Sequence, residues 1–257
     1  MRMTTPVFKP IIPTQASSLL MHGTLDEQFE ITALEHDIVR VQFRPDGNHR
    51  LNRTWMITDA NGDVPREGRN RNDMTRFTRP EFSIAADDDW LEMATGSLAV
   101  RAHQEDVYLQ WLVDGVLFAA DVVQRGYPYD RSGDVVQHFM TMQPDELYYG
   151  FGERTGPLNK RGMRMEMRDL DSLGYNAERT DPLYKHFPFY ITFNPALNIA
   201  YGLLYDNLAT TVFDMGREID AIWEPYRKYE AIGGDIDYYM ISGFLIPLFL
   251  FSLIFNF

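Results

Sequence analysis

Two carboxylates in residues 167–175 are the side chains of this sequence best suited to hold a polar ligand. Asp169 and Asp171 stand two residues apart and are followed by Gly174. A carboxylate can bind adjacent hydroxyl groups of one ligand, because its two oxygens accept charge-assisted hydrogen bonds. The same residue type favours Asx-turns, in which the carboxylate accepts a hydrogen bond from its own backbone. From the residues alone the Asx-turn is the favoured interpretation.

Two further groups of charged residues could suggest chemistry, but each has a structural explanation. Glu153 and Arg154 could act as acid and base, yet between two glycines at a strand end they favour a structural ion pair. Residues 87–89 are three consecutive aspartates, which cannot converge on one cation without other ligands, so they predict a solvated turn. We assign no catalytic residue to this chain.

Metal and cofactor chemistry finds no support in the sequence. The chain has no cysteine, which excludes disulfides, thiolate metal sites and a cysteine nucleophile. No ligand spacing of the His-x-x-x-His type occurs among the six histidines, so we expect most of them at the surface, and we predict no metal and no cofactor. The six are His22, His36, His49, His103, His138 and His186.

Composition describes a folded, β-rich protein of ordinary polarity. Hydrophobic residues make up 45% and charged residues 24% of the 257 positions, enough for one large or two small domains. The formal charge of −13 repels phosphate backbones and anionic lipids, which argues against nucleic acid as a partner. Aromatic residues, at 14%, favour strands. Prolines interrupt residues 1–15, so no secretory leader is indicated, and we expect a cytoplasmic location.

Alternation of apolar and polar residues predicts the strands that must position any site. Val39, Val41 and Phe43 alternate with polar neighbours, and an apolar row from Val107 to Val113 is followed by Asp114-Gly115, a pair that suits a tight hairpin. A second hairpin is predicted from alternation over residues 189–193 and the apolar run 199–205. No window sustains helical periodicity, so the fold class is all-β.

Residues 61–79 are predicted to form a long solvated loop. This stretch is rich in Arg, Asn, Asp and Gly and poor in apolar residues. Five arginines could form a basic patch, but acidic residues interleave with them, so we assign the loop no ligand. The arginines are Arg66, Arg69, Arg71, Arg76 and Arg79.

From Tyr148 onward, four motifs resemble, in order, those of the N-terminal domain of glycoside hydrolase family 31, the α-glucosidase family. The first is YGFGERTGPLNKRG at residues 149–162, and the second is DPLYK at 181–185 with FPF at 187–189. The third is YG at 201–202 with YDN at 205–207, and the fourth is GGDIDYY at 233–239. The resemblance implies a galactose-mutarotase-like β-sandwich, or supersandwich, over residues 1–243.

The resemblance also implies what this domain does and what it lacks. Retaining enzymes of the family cleave O-glycosyl bonds with two carboxylates about 5 to 5.5 Å apart, both in a (β/α)₈ barrel that follows this domain. No Trp-x-Asp-Met-Asn-Glu block occurs here, so we expect the chain to be inactive alone and to meet its α-glucoside or oligosaccharide substrate only together with that barrel. A stand-alone carbohydrate-binding module is the alternative function.

The family's loop between the first two motifs supplies a substrate-binding acid, and the resemblance gives this role to residues of 167–175. Its usual form is Asn-x-Asp, so Asp171 matches the binding Asp and Asp169 replaces the Asn. For Asp171 alone, the resemblance favours substrate binding over the Asx-turn. Together with the closing strand, the loop would pack on the barrel, so their apolar residues are expected to lack a partner here. They are Leu170, Leu173, Tyr175 and Tyr239. Aldose epimerases of similar fold use a His and a Glu as acid and base, but no such signature surrounds His138.

Residues 244–257 form an apolar tail unlike the family. They carry no charge and are almost all Phe, Leu and Ile. A span of about 20 apolar residues is needed to cross a bilayer, and the usual basic flank is missing, so a membrane anchor has little support. We expect that an altered reading frame, a retained intron or a wrongly placed gene end produced the tail.

Overall fold

A computed structural model describes residues 3–8 and 17–243, and all regular secondary structure in these ranges is β-strand. The strands are β1 (Met3–Thr4), β2 (Ser18–His22), β3 (Gln28–Ala33), β4 (Ile38–Arg44), β5 (Arg53–Thr54), β6 (Arg69–Asn70), β7 (Ser83–Ala86), β8 (Trp90–Thr95), β9 (Leu98–His103), β10 (Leu109–Val113), β11 (Val116–Ala120), β12 (Tyr129–Asp130), β13 (Val136–Thr141), β14 (Leu147–Gly150), β15 (Arg164–Met167), β16 (Phe189–Asn194), β17 (Ile199–Tyr205), β18 (Thr211–Asp214), β19 (Tyr226–Ala231) and β20 (Ile236–Gly243). The all-β prediction is confirmed. No helix in the described ranges has the length and apolar character needed to cross a membrane. The predicted tail at 244–257 lies outside the described residues.

Antiparallel pairing arranges these strands in three large sheets. A seven-stranded sheet has the order β14-β16-β17-β20-β4-β3-β2, and a six-stranded sheet has the order β1-β12-β13-β19-β18-β15. A five-stranded sheet has the order β11-β10-β9-β8-β7, while β5 and β6 form a short pair. The result is a β-sandwich in which one face of the seven-stranded sheet shares a core with the six- and five-stranded sheets.

The two faces of the seven-stranded sheet contact different parts of the chain. At its centre Tyr238 of β20 lies opposite Val41 of β4, and both belong to the main core that this sheet shares with the other two. Tyr239 and Ile241 point to the opposite face, where they pack with Phe77 in a smaller buried cluster. Because side chains alternate along a strand, each face of β20 has its own apolar set.

Residues 49–79 cover that second face, so the prediction of a solvated loop is wrong for its central residues. Arg69 and Arg71 are buried, with 4% and 5% of their surface exposed, and Phe77 is buried with them. The Arg71 guanidinium is neutralised by the Asp237 carboxylate, from Nη1 to Oδ2 at 2.6 Å. Burial of this charge is possible because the core supplies its counter-charge, which the composition of the loop does not reveal.

Strand β4 is buried on both faces, whereas its alternation predicted one polar, exposed face. Arg40 and Gln42 lie under the 49–79 loop with 1% and 3% of their surface exposed. Arg40 donates from Nε and Nη2 to the two oxygens of Asp237, at 2.8 and 2.5 Å. The alternation is real, but the polar row contacts other polar groups instead of solvent.

Both predicted hairpins are confirmed. Strands β10 and β11 pair with Val113 opposite Val116, and the turn residues Asp114 and Gly115 have φ values of 49° and 77°. Positive φ at both central residues is the geometry of a type I′ turn, which matches the twist of the strands. The second hairpin joins β16 to β17.

Candidate functional site

Two of the motifs singled out in the sequence lie side by side at the edge of the seven-stranded sheet. Gly152 has φ +77°, and a Cβ atom there would stand 2.6 Å from the Lys185 carbonyl oxygen. The Phe151 amide donates to the Phe189 carbonyl at 2.8 Å, and the Glu153 amide to that of Lys185 at 2.6 Å. Glycine is therefore needed where the backbones of residues 150–153 and 185–189 approach each other.

Arg154 forms a structural ion pair, but its partner is Asp181 and not the neighbouring Glu153. Its Nη1 donates to the Asp181 carboxylate and, at 2.7 Å, to the Glu166 carbonyl. Asp181 also accepts from the Glu166 amide at 3.1 Å. Glu153 is exposed and accepts from the Lys185 amide at 3.3 Å. These contacts join the end of β15 to the Asp181 motif.

Residues 168–175, the loop with both candidate aspartates, follow β15 directly. All of them are exposed except Ser172, whose hydroxyl donates to the Pro182 carbonyl at 2.6 Å. Because this one buried side chain anchors the middle of the loop, Asp171 is held close to the 181–185 motif while remaining exposed.

Asp171 lies near the phenol of Tyr184. Desolvation, followed by the negative charge of Asp171, raises the pKa of Tyr184 above its ordinary value. Within the described residues, no backbone N–H of the 168–175 loop donates to Asp169 or Asp171, so the Asx-turn is not the arrangement found. The exposed Asp171 carboxylate keeps room for a ligand.

Asp169 lies near a different group, the half-buried imidazole of His186. Burial, together with the positive charge of Arg154, lowers the pKa of His186, and the negative charges of Asp169 and Asp181 oppose that effect. The imidazole is therefore neutral at neutral pH. The two candidate aspartates share one loop but have different side-chain neighbours.

The apolar residues of the loop are exposed, as predicted, whereas Tyr239 of β20 is not. Leu170 and Leu173 are 42% and 82% exposed, and Tyr175 is 55% exposed. Tyr239 is only 2% exposed, because residues 49–79 cover its face of β20. Of the residues expected to lack a partner, only those of the loop are therefore exposed.

His138 is an exception to the expectation that most histidines lie at the surface, because it is 1% exposed. Its ring is stacked against Tyr127 and Tyr238, with centroids 4.6 and 4.8 Å away. Its nitrogens contact the Tyr205 hydroxyl at 2.8 Å and the Asp121 carboxylate at 2.9 Å. A histidine enclosed in this way cannot exchange a proton with an aldose, which excludes it as an epimerase acid or base.

The remaining charged candidates are structural. Residues 87–89 are exposed, and the Asp87 carboxylate accepts from the amides of Asp89 and Trp90 at 3.0 and 2.7 Å, so the predicted solvated turn is confirmed. No group of three or more His, Asp or Glu side chains in residues 3–8 and 17–243 is arranged to hold a metal ion.

The sheet order and the exposed loop beside the Gly-x-Gly motif define a galactose-mutarotase-like β-sandwich. The family described as the glycosyl hydrolase 31 N-terminal galactose mutarotase-like domain matches residues 28–214. The chain belongs to this family, which confirms the resemblance and extends it upstream of Tyr148. The match includes the first three motifs, and the fourth lies beyond it.

Relatives of known name share this domain as a part of larger proteins. Alpha-glucosidase 2 of Bacillus thermoamyloliquefaciens is 28% identical over 214 residues, which are 83% of this chain and 24% of the relative. A GH31 dextranase of Flavobacterium johnsoniae, in complex with isomaltotriose, has a TM-score of 0.76 at 20% identity, over 92% of this chain and 26% of its own. The alpha-1,4-glucan lyase of Gracilariopsis lemaneiformis has a TM-score of 0.71 at 17% identity, over 94% and 28%.

This chain therefore spans about a quarter of the length of these relatives. It corresponds to the N-terminal domain of family 31 glycosidases, and their catalytic domain is not among its 257 residues. The sequence does not predict that Tyr184 and His186 lie near the two candidate aspartates, although both residues lie in or beside the second motif. A tyrosine and a histidine next to a recognised motif were the only signals available.

Proposed function

We propose that this chain is the substrate-contacting N-terminal domain of a glycoside hydrolase that acts on α-linked glucosides, and that Asp171 binds the sugar. One observation carries the proposal: the Asp171 carboxylate is exposed on a loop anchored by Ser172, and no backbone amide of that loop donates to it in the described part of the chain. An acid held in this way can accept hydrogen bonds from two neighbouring sugar hydroxyls.

Tyr184 lies beside Asp171, and its phenol is a second polar group that a sugar hydroxyl can contact. The lone pairs of the Asp171 carboxylate stay available for ligand hydroxyls. Asp169, next to the neutral imidazole of His186, is proposed to contact the same ligand from the other side of the loop.

The proposed substrate class follows from the relatives, which are named for activities on glucose polymers or were captured with a glucose trisaccharide. Bond cleavage itself needs a carboxylate pair at fixed spacing, which we assign to the catalytic domain. We therefore propose that this domain contributes substrate binding and that the chain alone does not hydrolyse glycosides.

Two assays test the proposal. The 257-residue chain should give no turnover of a chromogenic α-glucoside. In a chimera, residues 1–243 replace the matching part of the Bacillus α-glucosidase, and kcat and KM are measured. Asp171→Asn should lower kcat/KM about 10- to 100-fold, because hydrogen bonds to a charged group contribute about 1.5–3 kcal/mol.

Glu178→Gln, exposed and outside the 168–175 loop, is the control and should leave kcat/KM unchanged. Asp169→Asn is a conservative variant within the loop. It introduces the amide that the resemblance gives as the usual family residue, so kcat/KM should stay within a few-fold of the parent chimera. Equal activity of the parent and the Asp171→Asn chimera would show that the loop does not bind the substrate.

A further inference from the structure

A second concave surface lies at the end of β15 and β18 that is remote from Asp171. These strands pair so that Met167 lies opposite Thr211 at one end and Arg164 opposite Asp214 at the other. The 168–175 loop leaves from the Met167 end, and the second surface lies beyond the Arg164 end. We call it the Trp223 cleft; it has a volume of about 710 Å³, and its lining includes Asn159, Arg161, Glu218, Ile219, Trp223 and Glu224.

The Trp223 cleft has an aromatic wall that is already fixed in place. The Trp223 ring is half-buried against the cluster that contains Phe139 and Tyr226. The Arg125 guanidinium lies 5.6 Å from the centre of the Trp223 ring and 4.1 Å from that of Phe139. The part of the indole that lines the cleft is therefore a rigid apolar platform, beside which Ile219 is 90% exposed.

The loop that carries this platform is held by side-chain caps without any ligand. The Asp214 carboxylate accepts from the amides of Arg217 and Glu218 at 2.7 and 3.1 Å. The Asp220 carboxylate accepts from the Ile222 amide at 2.9 Å and contacts Arg125 at 3.5 Å. Because this loop is already ordered, binding of a ligand would cost little conformational entropy, which favours binding.

The charged side chains that line the Trp223 cleft point to a neutral ligand. They are Arg161, Glu218, Asp220 and Glu224. Glu218 pairs with Lys228, and Asp220 with Arg125. One cation and one carboxylate of the lining then remain, Arg161 and Glu224, so the lining has no strong net field that would select an ion.

Free hydrogen-bonding groups complete the cleft. The Asn159 side-chain oxygen accepts from the amides of Tyr148 and Arg161 at 3.0 and 3.1 Å, so its NH₂ group remains to donate. The Glu224 carboxylate is exposed and can accept. Neither the Asn159 NH₂ nor the Glu224 carboxylate has a hydrogen bond to another described residue. An apolar platform flanked by one donor and one acceptor suits a pyranose ring, which has apolar C–H faces and hydroxyl edges.

We propose that the Trp223 cleft is a second carbohydrate-binding site, which holds one or two neutral glucose units of an oligosaccharide against the Trp223 ring. The choice of glucose rests on the proposed function, whereas the choice of a neutral, ring-shaped, hydroxyl-rich ligand rests on the cleft itself. Such a site would hold a polymeric substrate at a distance from the loop that carries Asp171.

The test is a titration of the 257-residue chain with isomaltotriose, followed by tryptophan fluorescence and calorimetry. Trp223→Ala should weaken binding about 5- to 13-fold, as expected when an aromatic contact of about 1–1.5 kcal/mol is lost. Glu224→Gln, an exposed substitution that should not disturb folding, should weaken it several-fold. Glu105→Gln, exposed and outside the cleft, is the control and should leave the affinity unchanged. Circular dichroism verifies that each variant is folded.

Asp171→Asn separates this inference from the proposed function. If Asp171→Asn abolishes all binding while the Trp223 and Glu224 variants bind normally, the second site is refuted and the first is supported. Absence of any isomaltotriose binding also refutes the second site, while the chimera assay still decides the role of Asp171. If Trp223→Ala changes the sedimentation of the chain but not its sugar affinity, the cleft is a protein interface and the inference is wrong.

Discussion

Replacing Arg71 by methionine should strongly destabilise the fold, because it removes one cation from a buried network of four charges. Arg71 contacts Asp206 and Asp237 at 3.0 and 2.6 Å, and Asp237 also contacts Arg40 at 2.5 Å. Each of the four residues is at most 5% exposed. The substitution leaves two buried carboxylates with one guanidinium.

The expected cost follows from this geometry. Removing one partner of a buried ion pair costs about 3–5 kcal/mol, since an uncompensated charge stays behind. Arg71 also donates to the carbonyls of Leu51 and Arg53, both at 2.9 Å, and these would lose a partner. Methionine fills a similar volume, so little of the loss comes from a cavity. We expect the free energy of unfolding to fall by at least about 3 kcal/mol at pH 7.

The loss should shrink as the pH falls, because Asp206 can take up a proton. Burial raises the pKa of Asp206 in the native protein, and the positive charge of Arg71 opposes this; without Arg71 the pKa rises further. A group with a raised folded-state pKa contributes stability below its unfolded value and loses it as the pH rises through the folded value. Arg71→Met should therefore cost less near pH 4 than at pH 7.

Urea unfolding of the full chain, followed by circular dichroism, measures these effects. Arg66→Met is the matched control, because Arg66 belongs to the same loop but is exposed, and its loss should change stability by less than about 0.5 kcal/mol. Arg71→Met combined with Asp206→Asn restores the charge balance and should recover part of the loss. Equal costs for Arg71→Met and Arg66→Met would refute the idea that a buried charge network holds the loop.

Three further predictions address other parts of the molecule. Gly152→Ala should lower the free energy of unfolding by more than about 2 kcal/mol, because positive φ is combined with a Cβ atom 2.6 Å from a carbonyl oxygen. Gly162→Ala, with φ +77° but open space around the Cβ atom, is the control and should cost less. Similar melting temperatures for the two variants would contradict this prediction. Hydrogen bonds from Thr75, followed by the contact with Arg69, lower the pKa of Asp73 to about 2. Thr75→Val should therefore lower the melting temperature at pH 7, and its difference from the parent should vanish as the pH falls from about 4 to 2, through the unfolded and then the folded pKa of Asp73. A melting-temperature difference that stays constant with pH would exclude this cause. Deleting residues 244–257, which follow the last residue of β20, should raise the soluble yield, because a charge-free apolar tail promotes association. An unchanged soluble yield would show that the tail is packed against the domain.

The sequence by itself determined the features that depend on neighbouring residues. Alternation located β4, and Asp114-Gly115 located a type I′ hairpin, because side-chain direction and backbone φ are local properties. Gly150 and Gly152 belong to the first motif of the family, and they are needed locally because the close approach of two backbones tolerates only glycine. The order of the motifs then located the candidate loop around Asp171.

Only the tertiary structure decided which charges are buried and what they contact. Arg71 has the same composition around it as the exposed Arg66, but its partner Asp237 is 166 residues away along the chain. His138 is likewise enclosed by Tyr127 and Tyr238, and the loop of Asp171 is anchored by the hydrogen bond from Ser172 to the Pro182 carbonyl. Whether a polar side chain is solvated depends on which distant groups the fold brings to it, and the local pattern contains no information about those groups.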